Sequence, residues 1–452
     1  MYLAGMEPQR LPFGKLILYG FGIFGWSLSL NIVSTLLSYM YLPPAEENTD
    51  LVSLVPQTTY LYVFNIIALV MASGRLIDAM ADPIIANLSD RLRHPLGRRI
   101  PLMRLAPAFV AVFCTLMFTP PVKGESMENV RWLALVQIGY YVFFAMYVIP
   151  YNALLAELGH YPNGKMHLST AQSVGFMAGV FAASTITKAA TLFPDALGDL
   201  RQLQYAVGVY NAAGAVCMWL PAFLIDERKY CRPANASEPL LQSLRTALRV
   251  RNFRIFAFAD AVFFMSIALI SSGLLYYITA MLGMSREDGY LYMGIMLFTT
   301  LLMYYPVNVL EKKYSKKMLI IFAFGALSVV FFGICFLGRI PLPPWSQAAL
   351  LMVSFGLFDS FLGILPNTVV ADIAHAEAHR SGQNKEGMFF GMRALFQKLG
   401  QTMGVMLFMM LTLYGKDPGN DTGLRMSGAA GGVLCALAAA VYVLYREKED
   451  EV

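Results

Sequence analysis

The stretch Gly74-Arg75-Leu76-Ile77-Asp78-Ala79-Met80-Ala81-Asp82-Pro83 sets three formal charges inside a run otherwise apolar enough to cross a membrane. On a helix, Asp78 and Asp82 stand one turn apart on one face, and Arg75, three residues before Asp78, stands on the same side. An ionised side chain near the bilayer centre costs at least ~2.5 kcal/mol, so that face cannot meet lipid. It must look into a bundle interior or a watery cavity.

The rest of the chain supplies the material for a bundle. Of its 452 residues, 57% are hydrophobic and only 14% charged, against roughly 25% charged in soluble domains. This is the composition of a polytopic membrane protein. The net charge of +5 gathers on no soluble basic face, so a nucleic-acid partner is not expected. Cys114, Cys217, Cys335 and Cys435 lie in apolar runs and Cys231 in a basic loop, none at metal-ligand spacing. The histidines, His94, His160, His167, His375 and His379, make no H-E-x-x-H or comparable pair. Neither an enzyme nor a bound cofactor is expected. The N-terminus has no cleavable signal pattern, and its first apolar run is long enough to stay as a span.

About twelve such runs occur, at 14–42, 58–88, 101–120, 130–158, 168–193, 203–225, 253–282, 288–310, 318–338, 345–375, 387–414 and 424–445. The polar stretch Asp226 to Arg251 divides them six and six, giving an expected N-terminal bundle over 1–226, a linker over 227–252 and a C-terminal bundle over 253–452. In the linker, Leu240, Leu241, Leu244 and Leu248 recur at helical spacing opposite Arg245 and Arg249, the pattern of an amphipathic surface helix or a solvated one. Alternate loops concentrate Lys and Arg: Arg91, Arg93, Arg98 and Arg99, then the linker, then Lys312, Lys313, Lys316 and Lys317. Basic loops stay inside, which places both termini in the cytoplasm.

The halves share a faint repeat. Pro150-Tyr151-Asn152-Ala153 leads to Glu157, and Pro366-Asn367 leads through Ala371 to Asp372. Two pseudo-symmetric six-helix bundles around a midplane site are what an alternating-access carrier requires. Further charges in the spans are Lys188, Asp260, Asp359, Arg393 and Lys398, each a candidate site or a bundle brace. Asp78 and Asp82 offer oxygens to a cation, or share a proton if desolvated. Asp359 and Lys398 are read as a brace or as solute contacts, while Glu157, Asp372 and Arg380 end spans where they can meet the loop arginines.

Three segments carry a resemblance. They are Tyr19-Gly20-Phe21-Gly22-Ile23-Phe24-Gly25, the Gly74 to Pro83 run with its Asp90 to Pro101 loop, and Glu386 to Gly391 leading to Phe396-Gln397-Lys398-Leu399-Gly400. Together they resemble the glycoside-pentoside-hexuronide:cation symporters of the major facilitator superfamily, of which melibiose permease is the familiar member. The resemblance implies an all-α fold of two six-helix bundles and a coupling cation, Na⁺ or H⁺, at Asp78 and Asp82. It implies a gating group of Arg75, Asp90, Gly97, Arg98 and Arg99, to which Glu157 and Asp372 add their acids. It also places Lys398 beside the solute, with Asp359, Asn152, Tyr151 and Ser27 as the other expected contacts. Where sugar-transporting members carry aspartates, this chain has Ser27 and Val148; their fourth-span tryptophan corresponds to Asn152 and their fifth-span arginine to Gln172 or Ser173. Two further cation ligands of the family correspond to Ala81 and about Ala145.

The expectation is therefore a monomeric symporter in a bacterial inner membrane, moving a small organic solute, with a sugar or glycoside first. A lysophospholipid or other amphiphile is the alternative, since lysophosphatidylcholine carriers of the same family keep the two acids and the lysine. A receptor or membrane anchor without turnover is the alternative of another class.

Overall fold

The computed structural model describes residues 9–44, 53–56, 59–60, 64–159, 164–231, 245, 247–285, 288–381 and 386–447. Twelve long helices stand among them: α1 Phe13–Tyr41, α2 Ile66–Arg91, α3 Ile100–Met117, α4 Met127–Leu158, α5 Gly164–Ser184, α6 Asp199–Leu224, α7 Arg251–Tyr276, α8 Gly289–Glu311, α9 Lys316–Gly333, α10 Pro344–Ser381, α11 Glu386–Leu411 and α12 Thr422–Tyr442. The second begins at Ile66 and not at 58, because Thr59–Tyr60 and Phe64–Asn65 pair as a minimal antiparallel hairpin ahead of it. The fifth stops at Ser184, and Ile186–Ala190 follows as a separate turn. The proposed amphipathic linker helix falls largely outside the described residues; Arg245 and Ala247 to Arg249 are helical.

Local chemistry sets several of these boundaries. Ser126 caps α4 by accepting the Glu128 N–H, and Ser315 caps α9 by accepting that of Met318. Pro101 sits in the first turn of α3, where its missing N–H costs nothing. By length and apolarity alone, ten helices qualify as membrane spans. The other two long helices are α2, which carries Arg75, Asp78 and Asp82, and α5, which carries Gln172 and a run of Ser and Thr. Leu105, Phe109 and Val112 on α3, and Val209, Val216 and Phe223 on α6, are exposed at helical spacing, surfaces suited to lipid.

The helices gather into two compact units. One holds α1 to Met40, α2 from Leu76 and α3 to α6; the other holds the start of α2 and α7 to α12. Within the first unit α1 meets α5 where a Cβ on Gly175 would strike the Gly20 carbonyl; within the second, α7 meets α11 where one on Gly400 would strike that of Ala261. Small residues let helix backbones approach where lipid offers no hydrophobic drive.

Candidate functional site

On α2, Asp78 is 3% exposed and Asp82 half-buried, and Oδ1 of each is shielded from solvent. Beside them Ala81 and Ile85 pack with Ala145 of α4, and Met146 and Ile149 close over this contact. The two positions where the resembling family carries extra cation ligands are thus apolar and pressed together. Among the described residues, no cluster of three or more His, Cys, Asp or Glu is arranged to hold a metal ion. Arg75 lies half-buried a turn before Asp78.

The expected solute contacts of the first unit divide by accessibility. Ser27 is fully buried and donates to the Phe176 carbonyl at 2.9 Å, tying α1 to α5. Tyr151 is also fully buried; its hydroxyl donates to the Tyr19 carbonyl at 2.6 Å, Tyr19 answers to the Tyr151 carbonyl at 3.1 Å, and their rings stack at 4.5 Å. The hydroxyls of Ser27 and Tyr151 therefore hold helices together. Asn152, one residue on, is exposed. Gln172 of α5 donates to its Oδ1 at 3.3 Å and to the Tyr19 hydroxyl at 2.9 Å, forming a neutral network of α1, α4 and α5. Near Ser27, the Trp26 ring packs edge-on to Phe144 and Phe176, and its Nε1 is buried with no hydrogen-bond partner among the described residues.

The second unit builds a charged network on the corresponding helices α7, α10 and α11. Arg393 grips Asp260 through Nε at 2.9 Å and Nη2 at 3.3 Å, and its Nη1 donates to Asn367 Oδ1. Gln397 donates to Asp260 Oδ2 at 2.9 Å, and the guanidinium lies over Phe256. Asp260 and Arg393 are 3% and 7% exposed. Asp359, Gly363 and Asn367 recur every four residues on one face of α10, with Asp359 half-buried and the other two exposed. Lys398 is half-buried on α11.

At the α2–α3 loop, Arg98 Nη2 and Arg99 Nη2 each donate to Glu157 Oε1 at 3.0 Å. Arg99 also reaches Asp90 at 2.6 Å and Ser89 at 2.8 Å. Gly97, at φ +114°, turns the chain into this arrangement. Burial works against the Arg99 charge, but Glu157 and Asp90 outweigh it and raise its pKa. Glu157 lies beyond the apolar span Met127–Leu155, and burial pushes its carboxyl above the usual range despite the pull of Arg99 and Arg98. The pair thus keeps Arg99 charged and leaves Glu157 as the member that takes a proton first. Asp372, suggested by its position as a partner of the loop arginines, is held by Lys316 of its own unit at 2.5 Å.

Sequence reasoning did not pair Asp260 with Arg393, nor did it see Tyr19 and Gln172 around Asn152. It also passed over Glu227, whose carboxylate accepts the backbone N–H groups of Arg98, Arg99 and Ile100. A usable signal existed for the last: an acid follows the sixth helix at Glu227 and the twelfth at Glu447.

Residues 18–446 match the model of the family described as MFS/sugar transport protein. An uncharacterized symporter of Synechocystis sp. (strain ATCC 27184 / PCC 6803 / Kazusa) is 22% identical, over 89% of this chain and 86% of that one. The isoprimeverose transporter of Lactiplantibacillus pentosus is 26% identical over 40% of this chain and 34% of its own. The crystal structure of a D-xylose-proton symporter superposes with a TM-score of 0.69 at 14% identity, covering 96% of this chain and 97% of that one, which shows a shared fold. Twelve long helices in two units, polar groups set inside apolar helices and a family match along nearly the whole length converge: this chain belongs to the MFS/sugar transport protein family, a membrane transporter of the major facilitator type and not an enzyme.

Proposed function

We propose that the protein is a proton-coupled symporter for an uncharged polar solute of the sugar or glycoside class, working by alternating access. The observation that carries this reading is the pair Asp78 and Asp82, one turn apart, with Asp78 buried and Ala81 and Ala145 packed beside them. Like charges four residues apart on one helical face repel, and a cation that neutralises one of them relieves that repulsion. A sodium ion wants several oxygens, and the two positions that correspond to further cation ligands in the resembling family are Ala81 and about Ala145 here. Proton uptake neutralises the cluster and favours the state in which solute fits, so proton and solute raise each other's affinity.

For the solute, Asn152 and Gln172 present amides and the surroundings present aromatic rings, with no charge among the Tyr19–Gln172–Asn152 group. Neutral amides beside rings suit hydroxyls and the apolar face of a sugar ring. Lys398 and Asp359 are the second unit's own candidates for contact with solute. The names of two relatives, a symporter and an isoprimeverose transporter, agree with this reading. The basic loops and both termini would face the cytoplasm.

Proteoliposomes test it directly, with isoprimeverose, melibiose and lysophosphatidylcholine offered under an imposed pH or sodium gradient. A pH gradient should drive accumulation of a glycoside, and Asp78→Asn and Asp82→Asn should each abolish the drive while leaving exchange. Accumulation driven equally by pH in both variants removes the acids from coupling. Drive by sodium alone overturns the proton, and movement of the lysolipid alone overturns the solute class.

A further inference from the structure

The chain that leaves α6 is built into the start of α3. Asp226 opens a single turn, accepting the Arg228 N–H at 3.0 Å, and Glu227–Tyr230 complete it. The turn sets the Glu227 carboxylate, 5% exposed, at the head of α3. Oε1 accepts the N–H of Arg98 at 2.7 Å, and Oε2 accepts those of Arg99 at 2.8 Å and Ile100 at 3.1 Å. The first N–H groups of a helix have no carbonyl to reach, and a carboxylate both satisfies them and meets the positive end of the helix dipole. Gly97 is a glycine for two reasons: its φ of +114°, and the overlap that a Cβ there would make with this carboxylate.

The second unit repeats the device. Glu447 follows α12 as Glu227 follows α6, and its Oε1 accepts the N–H of Lys316, the first residue of α9, at 2.9 Å. α9 is the third helix of its six, as α3 is of the other. The sequences around the two glutamates differ, so the common feature is the acid and its place.

We infer that Glu227 is a positioning residue for the gate: by holding three successive N–H groups it bends the Gly97 to Ile100 turn so that Arg98 and Arg99 both reach Glu157. Side chains of adjacent residues ordinarily diverge. Here both guanidiniums meet one oxygen, because the backbone between them is wrapped around a carboxylate. The inference rests on the carrier reading only in calling this network a gate, and its test needs no transport.

Cys231 serves as the reporter. It follows the turn, its N–H donates to the Glu227 carbonyl at 2.9 Å, and it is 9% exposed. Burial first, then Glu227 and Glu157, push its thiol up, so alkylation of the resting protein should be slow. The experiment labels the full chain in membrane vesicles with N-ethylmaleimide and follows each cysteine peptide by mass spectrometry. Cys114, Cys217, Cys335 and Cys435 report any general unfolding. Glu227→Asp and Gly97→Ala both keep the acid charge, so neither changes Cys231 by removing it. Each should speed Cys231 labelling tenfold or more with the other cysteines unchanged, and the double variant should be no faster than the faster single one. The loss of melting temperature caused by Glu157→Gln should also shrink in the Glu227→Asp background, since the arginines would no longer be aimed. Unchanged Cys231 labelling in both variants, multiplying effects, or a full Glu157→Gln loss in the Glu227→Asp background would each overturn the proposal. Should both variants unfold, amide exchange of the unaltered protein decides: protected Arg98, Arg99 and Ile100 amides support it, and exchange at the rate of open chain sinks it.

Discussion

The loop between the second and third helices of each six is held in two different ways. In the first unit, a buried arginine spreads its fork over Glu157, Asp90 and Ser89, while Arg98 adds a second guanidinium to the same glutamate. In the second, Lys316 reaches Asp372 at 2.5 Å and Glu311 at 3.8 Å, and Asp372 remains 41% exposed. A guanidinium offers donors in a fixed plane, whereas an ammonium is a point charge on a flexible stem that water readily replaces. The first joint must therefore break as a unit, and the second can exchange its partners for solvent. The firmer hold on this loop therefore lies in the first of the two units.

The largest expected effect tests the buried joint. Glu157→Ala takes one of two carboxylates from Arg99 in a site almost closed to water. Breaking a buried pair outright typically costs about 3–5 kcal/mol, and because Asp90 stays on the guanidinium the loss should fall toward the lower end of that range. Denaturant unfolding of the purified protein in detergent measures it. A loss below about 1 kcal/mol would make the two joints equivalent and end the comparison. The smaller effect belongs to the second unit: Asp372→Ala should cost less than about 1 kcal/mol, since exposed pairs gain little. That loss should shrink further in high salt, because a half-exposed pair is screened. An Asp372→Ala loss as large as that of Glu157→Ala would show that exposure does not separate the two.

Much of this architecture was legible in the chain. Hydropathy marks the twelve helices, and the four-residue spacing alone puts Asp78 and Asp82 on one face. What spacing cannot give is the partner of a charge across the bundle. Asp260 and Arg393 are separated by a large part of the second unit, and only the close approach of α7 to α11 brings them together. The same holds for Glu227 and the head of α3, and for Asp372, which turned to a lysine of its own half. Ser27 and Tyr151 are expected as solute contacts through the family resemblance. Burial shows that their hydroxyls join helices, leaving Asn152 as the accessible member of that stretch. Local pattern thus yields faces and elements, while pairings between distant segments depend on how the helices pack.

The smallest expected effect separates the members of the first joint by pH. Burial holds the Glu157 carboxyl above the ordinary glutamate range, so the folded protein takes up this proton before the unfolded chain does. The stabilisation from that uptake is complete below the unfolded pKa and is lost as pH rises through the folded one. Glu157→Gln has no such proton to bind. The melting temperature of the unaltered protein, relative to Glu157→Gln, should therefore climb as pH is lowered from neutral toward the ordinary glutamate range. A difference that falls instead would mean that the two arginines outweigh burial and keep Glu157 ionised. The joint would then stay ion-paired until the pH falls below the ordinary glutamate range.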